Sequence, residues 1–345
     1  MSILQESYDF VQTRLLPKVS KRHRKLFTFG FEALTIRPFV SLNANARITI
    51  PVRNTAQSKM LRLVSNVQIL QYFSSFVSDL QLVKPTDSVN VDFSTFCGFN
   101  VLTFAKQTHL GRALPLFFAL IVYPIDEGSQ TRFIMKEITR FSTLLGFCPH
   151  LVFDRGFESP YIIPFFVKEN ISFTLRLKKD KHVMYQIKDI PLRNLPWHEK
   201  DCLVSIYQAY GCTQPLRVVV SEKLSERIDG NGNTEPWYLL TNDFVSSRER
   251  IVGRYYFRFE IEETFKDVKH IFNLKKFYTI EKQQTFYILL WFVMLGVWLS
   301  FLLEETKQYL TKRVQQKRRK RLSITRFFTE SIQIELFTSF KKQFL

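Results

Sequence analysis

Three carboxylates stand where a chain could put them to work. Asp92 lies in VNVDFS, Asp154 in LVFDRGF, and Glu262 in YYFRFEIEETFKDVKHIF. The first two are predicted at the ends of strands, where loops and helix starts converge on a site in open α/β sheets. The third is predicted on one amphipathic helix over residues 253–272. At about 100° per residue, Tyr255, Arg258, Glu262 and Lys269 fall within an arc of roughly 60°. Phe257, Ile261, Thr264 and Val268 form an apolar stripe beside them. Two strand-end aspartates met by a helix glutamate could cage two Mg²⁺ ions, which hard carboxylate oxygens suit. The chemistry needing that cage is phosphodiester displacement, with metals about 3.5–4 Å apart on the attacking and leaving oxygens. Arg258 would take a phosphate bidentately, Lys269 would add a point charge, and Tyr255 would donate its hydroxyl.

Each residue alone has a plainer explanation. An aspartate before a turn often caps it, and Glu260, Glu262 and Glu263 together could be a solvated face. Only the stripe shared with Tyr255, Arg258 and Lys269 singles out Glu262. That stripe carries a resemblance. Tyr255, Arg258, Glu262 and Lys269, with Ile261, Phe265 and Lys266 around them, resemble the Tyr-Arg-Glu-Lys signature of DDE transposases of the insertion-sequence-four family. VNVDFS and LVFDRGF resemble its two aspartate motifs, in the same order. The stretch before Glu262, ending in WYLLTND, resembles its β-rich insertion.

The resemblance spans roughly residues 85–305 and implies an RNase H-like fold. It implies that Asp92, Asp154 and Glu262 are catalytic and bind two Mg²⁺ ions, with Mn²⁺ as a substitute. Tyr255, Arg258 and Lys269 would grip DNA. The implied activity is cleavage at the terminal repeats of a transposable element, then strand transfer into target double-stranded DNA. Acting on two element ends implies a homodimer. The N-terminal region is short for the family's end-binding domain.

Periodicity supplies the elements that would position these groups. SVNVDFSTF, NVLTFAKQT and ALPLFFALIVYP read as three strands, followed by helix, strand, helix and strand through ISFTLRLKK. That pattern predicts an α/β fold, a mixed sheet flanked by helices. Short β-like runs over about 180–240 predict a mostly β insertion between the fifth strand and the glutamate helix. Residues 1–85 read as a mainly helical, DNA-binding region with a long helix over 54–80. Residues 86–305 read as the catalytic domain, and 306–345 as a basic tail.

A net charge of +18 calls for a polyanionic partner or an anionic surface. Cys97, Cys148, Cys202 and Cys212 form no CxxC pair, and the histidines show no metal-binding spacing. Both facts argue against a zinc site and fit a reducing cytosol. No apolar signal follows the start, so the expectation is a cytoplasmic, nucleoid-associated protein. The apolar run 285–303, followed by KRVQQKRRKR, is long enough to cross a bilayer. The resemblance instead implies a hydrophobic core helix there, which makes a membrane partner the weaker expectation. The rival readings are an inactive DNA-binding derivative, a membrane-anchored basic protein and a nuclease of the same fold.

Overall fold

Two residues with positive φ, Cys97 at 52° and Gly98 at 85°, turn the chain between the first two strands. Such a turn matches the right-handed twist of a hairpin. It joins β1 (Ser88–Phe96) to β2 (Phe99–Lys106), which pairs in turn with β3 (Leu114–Ile121). β3 is an edge strand, which is where Pro115 can sit without breaking a ladder. In this computed structural model, the described residues are 2–36, 41–50, 52–125, 129–196, 198–206, 212–221, 236–272, 274, 283–304, 306–309 and 323–344.

Among the described residues, five α-helices precede the sheet: α1 (Ile3–Phe10), α2 (Lys21–Gly30), α3 (Leu42–Thr49), α4 (Arg53–Val64) and α5 (Val67–Asp79). The helix predicted over 54–80 is therefore two helices. The break falls at Ser65 and Asn66, where the Asn66 side chain accepts the Gln68 N–H and restarts the helix.

After β3 come α6 (Gln130–Leu145), β4 (His150–Phe153), α7 (Ile162–Lys168) and β5 (Phe173–Leu177). β4 pairs parallel to β1, and β5 parallel to β4. The strands β6 (His182–Tyr185), β7 (Lys188–Pro191), β8 (Asp201–Ile206), β9 (Cys212–Val220) and β10 (Tyr238–Thr241) follow. They continue the same sheet, in the order β3-β2-β1-β4-β5-β10-β9-β8-β6-β7. This mixed ten-stranded sheet with flanking helices is consistent with an RNase H-like fold, as predicted. The turn-rich DGNGNTEP segment lies almost wholly outside the described residues.

The remaining helices are α8 (Arg248–Tyr256), α9 (Phe259–His270), α10 (Gln283–Leu302) and α11 (Ile324–Phe344). α10 is apolar on every side and buried along nearly its whole length. A helix of that kind needs protein around it or lipid. Here β3 covers one side and the N-terminal helices another. Phe73 stacks on Trp291 at 5.4 Å between ring centres, and the Trp298 indole donates to Pro115 O at 2.6 Å. The predicted tail is not a free end throughout. Ile324, Phe328 and Ile332 of α11 are buried, and Glu335 accepts the backbone N–H groups of Ile3 and Leu4. Residues 310–322, the most basic part, lie outside the described residues.

Rings approach α10 closely where it lacks side chains. A Cβ at Gly296 would lie 2.7 Å from the Phe272 ring, just beyond the end of α9. Gly296→Ala is therefore expected to cost about 1–3 kcal/mol through overpacking. A lowered denaturant midpoint with unchanged slope would show it, and an unchanged midpoint would contradict the packing.

Candidate active site

The parallel register sets the first two acids side by side. Val91 is the last residue of β1 paired with β4, opposite Phe153. Asp92 and Asp154 are the next residue on each strand, so they flank the point where the two strands part. Asp154 does end its strand as predicted. Asp92 does not: β1 runs on to Phe96, hydrogen-bonded to β2 alone. What ends at Asp92 is the pairing with β4, and that places the carboxylate as a strand end would. Phe93 of β1 stacks on Phe157, in the turn after Asp154, at 5.4 Å between ring centres.

The third acid arrives on α9. One helix was predicted over 253–272, but the chain breaks into α8 and α9 at Phe257 and Arg258. The Arg258 N–H donates to Tyr255 O, and the Glu260 N–H to Phe257 O, both three-residue bonds of a tightened turn. Asn90, buried on β1 two residues before Asp92, donates to the Phe257 and Arg258 carbonyls at 3.1 and 3.4 Å. Gln107 steadies it, donating to Asn90 Oδ1 at 2.6 Å and to Arg254 O at 2.7 Å. Sequence reasoning missed both amides. The signal was an asparagine between two buried valines on a strand.

The break turns Tyr255 and Arg258 inward upon the acids. The Tyr255 hydroxyl donates to Asp154 Oδ1 at 2.7 Å. Arg258 donates through one amino group to Asp92 Oδ2 at 3.1 Å and through the other to Glu262 Oε1 at 2.8 Å. Its side chain is 4% exposed, against 20% for Asp92 and 28% for Glu262. A single guanidinium thus bridges the strand acid and the helix acid. Tyr255 and Arg258, predicted as DNA contacts, are occupied here by the acids themselves. Lys269 is not brought to the cluster; its ammonium lies 5.0 Å over the Phe96 ring. Arg155, exposed and adjacent to Asp154, is a cation at the site that was not singled out.

The three crowded glutamates separate cleanly. Glu260 is buried and accepts the backbone N–H groups of Thr108, His109 and Gly111. Glu263 pairs with Lys266. Glu262 alone reaches the Arg258 cluster.

Burial pushes the Asp92 carboxyl up to about 6, opposed by Arg258 and the Phe93 N–H and reinforced by Asp154 and Glu262. Burial acts on Asp154 too, but Arg258, the Tyr255 hydroxyl and the Arg155 N–H outweigh it and hold that carboxyl below its usual value. Burial opposes the charge on Arg258, yet the surrounding oxygens more than restore it and raise its pKa. The cluster therefore has a strong appetite for positive charge.

Hard oxygen donors of this kind suit a divalent cation. In the arrangement seen, no three His, Cys, Asp or Glu side chains among the described residues are grouped to hold one. Arg258 lies between two of the acids and neutralises them. A cavity of about 660 Å³ opens near the start of β1, lined by Ser88, Gln107, His109 and Arg250 among others, and none of the three acids lines it.

Residues 135–297 match the family model described as the transposase DDE domain. The match supports a DDE transposase, an enzyme of DNA cleavage and transposition in general, with DNA as substrate. It contains Asp154, Tyr255, Arg258, Glu262 and Lys269 but not Asp92, which joins them through the β1–β4 pairing and the Arg258 contact. Comparison with curated proteins finds no match.

Proposed function

We propose that this chain cleaves DNA at the ends of a transposable element and joins the freed 3′-hydroxyl to target DNA, as transposases of the insertion-sequence-four family do. The observation that carries the reading is the convergence of Asp92 and Glu262 on one buried guanidinium, with Asp154 held beside them by Tyr255. These three carboxylates would hold two Mg²⁺ ions, or Mn²⁺, once Arg258 has moved from between them. Bound there, the ions would activate the attacking oxygen and steady the leaving one.

The chain's own groups do the rest. Tyr255 fixes the orientation of Asp154 through its hydroxyl. Arg258 keeps Asp92 and Glu262 aligned until DNA enters, then turns to a phosphate that presents the same planar pair of oxygens. Lys269, two helical turns beyond Glu262, meets the backbone further along. Asn90 and Gln107 hold the break that aims Arg258. Two element ends require two such sites, hence a homodimer on the DNA.

The test is a supercoiled plasmid carrying the DNA that flanks this reading frame. The wild-type chain should nick it and form joined products with Mg²⁺, and chelation should stop both. Because the Asp92 carboxyl sits near 6 and must be ionised to bind a cation, the rate should fall about tenfold per pH unit below that value. DNA retention without nicking would mark an inactive binding protein. Nicking without joining would mark a nuclease of the same fold.

A further inference from the structure

The loop between β2 and β3, residues 107–113, grips the glutamate helix along a buried polar seam. Three residues of α9 form it: Glu260, Thr264 and Asp267, at 4%, 2% and 7% exposure. At about 100° per residue, these positions lie within an arc of roughly 60°. Glu262 lies about 160° round the helix from Glu260. One face of α9 thus goes to the loop and the opposite one to the acids.

Every residue of the seam bonds to the loop. Glu260 Oε2 accepts the N–H groups of Thr108 at 2.8 Å and His109 at 3.3 Å, and Oε1 accepts that of Gly111 at 2.8 Å. The donors converge because His109 and Gly111 have positive φ, 60° and 84°, which turns neighbouring N–H groups inward as an anion-binding nest. His109 holds that conformation without being glycine, and such strain gathers where position matters. The Thr264 hydroxyl shares its proton between Ala113 O at 2.9 Å and Glu260 O at 3.0 Å. The Ala113 N–H donates to Glu260 O at 3.2 Å. Asp267 accepts from Arg112 Nε at 2.7 Å and from Ser323, just before α11, at 2.9 Å.

Ile261, Phe265 and Val268 supply the apolar packing of the same helix. Apolar burial is non-directional and leaves a helix free to roll or slide. Hydrogen bonds have preferred lengths and angles, and so fix rotation and register. A buried ion pair such as Arg112–Asp267 adds little stability over an apolar pair of similar volume. Placement accounts for this seam better than stability does.

We propose that Glu260, Thr264 and Asp267 are positioning residues for the cleavage reaction, setting the rotation of α9 that delivers Glu262 to Asp92 and Asp154. Their side-chain bonds among the described residues run to the loop, to the α9 backbone and to Ser323, and none runs to the three acids. The proposal rests on the transposase reading for the reaction it serves, and the seam itself can be tested apart from that reading.

The test compares isosteric and conservative changes in the full chain. Thr264→Val keeps the volume and loses the hydroxyl, whereas Thr264→Ser keeps the hydroxyl. In plasmid nicking with Mg²⁺, Thr264→Val should lose kcat by about a hundredfold, the scale of a misplacement of about 1 Å, with KM for DNA unchanged. Thr264→Ser should restore the rate. Glu260→Gln sets an amide donor against backbone N–H groups and should lose kcat likewise. Gly30→Ala on α2, where the added Cβ would meet the Phe292 ring, is the control for stability alone. It should lower the melting midpoint and leave kcat as it is. Residue-resolved hydrogen exchange reads the seam without catalysis. In Glu260→Gln the N–H groups of Thr108 and Gly111, and those of Glu260 and Ile261 at the start of α9, should exchange about tenfold faster, the scale of one lost hydrogen bond.

The proposal is overturned if Thr264→Val cleaves at the wild-type rate, if Thr264→Ser is as slow as Thr264→Val, or if Gly30→Ala slows cleavage equally for the same loss of stability. Unchanged exchange at Glu260 and Ile261 in Glu260→Gln also overturns it, since α9 is then held without the seam. A wild-type chain that does not nick removes the transposase reading, and exchange alone then decides whether the seam places α9.

Discussion

Glu262→Gln is expected to lower Mg²⁺-dependent nicking and joining by at least about a thousandfold, the scale lost when one member of a concerted catalytic group is removed. The amide keeps the shape and an oxygen for the Arg258 contact at 2.8 Å, so α9 should stay in place. What it lacks is the ionised oxygen that a hard cation requires. Asp154→Asn should behave alike, because its amide oxygen still accepts from Tyr255. Retention of duplex on a filter should be unchanged in both, since neither substitution removes a cation. The measurement is conversion of supercoiled plasmid at saturating protein. Wild-type rates from either variant would remove these acids from the chemistry.

Removing the cation should be felt in folding rather than only in activity. Arg258→Met deletes a guanidinium that is almost wholly buried and leaves Asp92, Asp154 and Glu262 facing one another. Breaking a buried pair from one side costs about 3–5 kcal/mol. The sign of its pH dependence follows from linkage. Burial already holds the Asp92 carboxyl above its unfolded value; without Arg258 to oppose it that carboxyl rises further, and the native state then binds more protons there than the unfolded one. Stability is thus retained at low pH and lost as pH rises through the folded pKa, so the deficit should be larger at pH 8 than at pH 5. Millimolar Mg²⁺ should restore part of it at pH 8 by binding the native state alone. Denaturant melts at both pH values, with and without Mg²⁺, decide it. A deficit indifferent to pH and to Mg²⁺ would mean that Arg258 is a packing residue and no stand-in for a metal.

Much of the scaffold was legible because its signals are local. Alternating or continuous apolar runs bounded by turns mark β1 to β5, and their order follows from short connections and crossover helices. The strands after residue 180 were equally readable as strands, but not as an extension of the same sheet. Periodicity states which face is buried and is silent on the partner, and β10 joins β5 only through pairing across the fold. The break at Ser65 and Asn66 had its cap residue in plain view, yet the apolar pattern ran straight across it.

The site was legible in its residues and illegible in its posture. Nothing between residues 254 and 272 forbids one helix, since no proline or glycine interrupts it. The break at Phe257 is imposed from outside by Asn90, some 167 positions earlier. It turns Tyr255 and Arg258 from an outward DNA-facing stripe into buried partners of the acids. Other tertiary contacts, the Thr108, His109 and Gly111 N–H groups on Glu260, separate it from Glu262, two glutamates that composition could not tell apart.

Both chain ends close over one greasy rod. The Ile3 and Leu4 amides are tied to Glu335, and α2, α5 and α11 together sheathe α10. A fragment cut short within α11 or lacking the first helices would bare a stretch long enough to enter a bilayer. Premature termination would thus yield more than an idle polypeptide: its product would be drawn into lipid or into aggregates, where the intact chain hides the same segment.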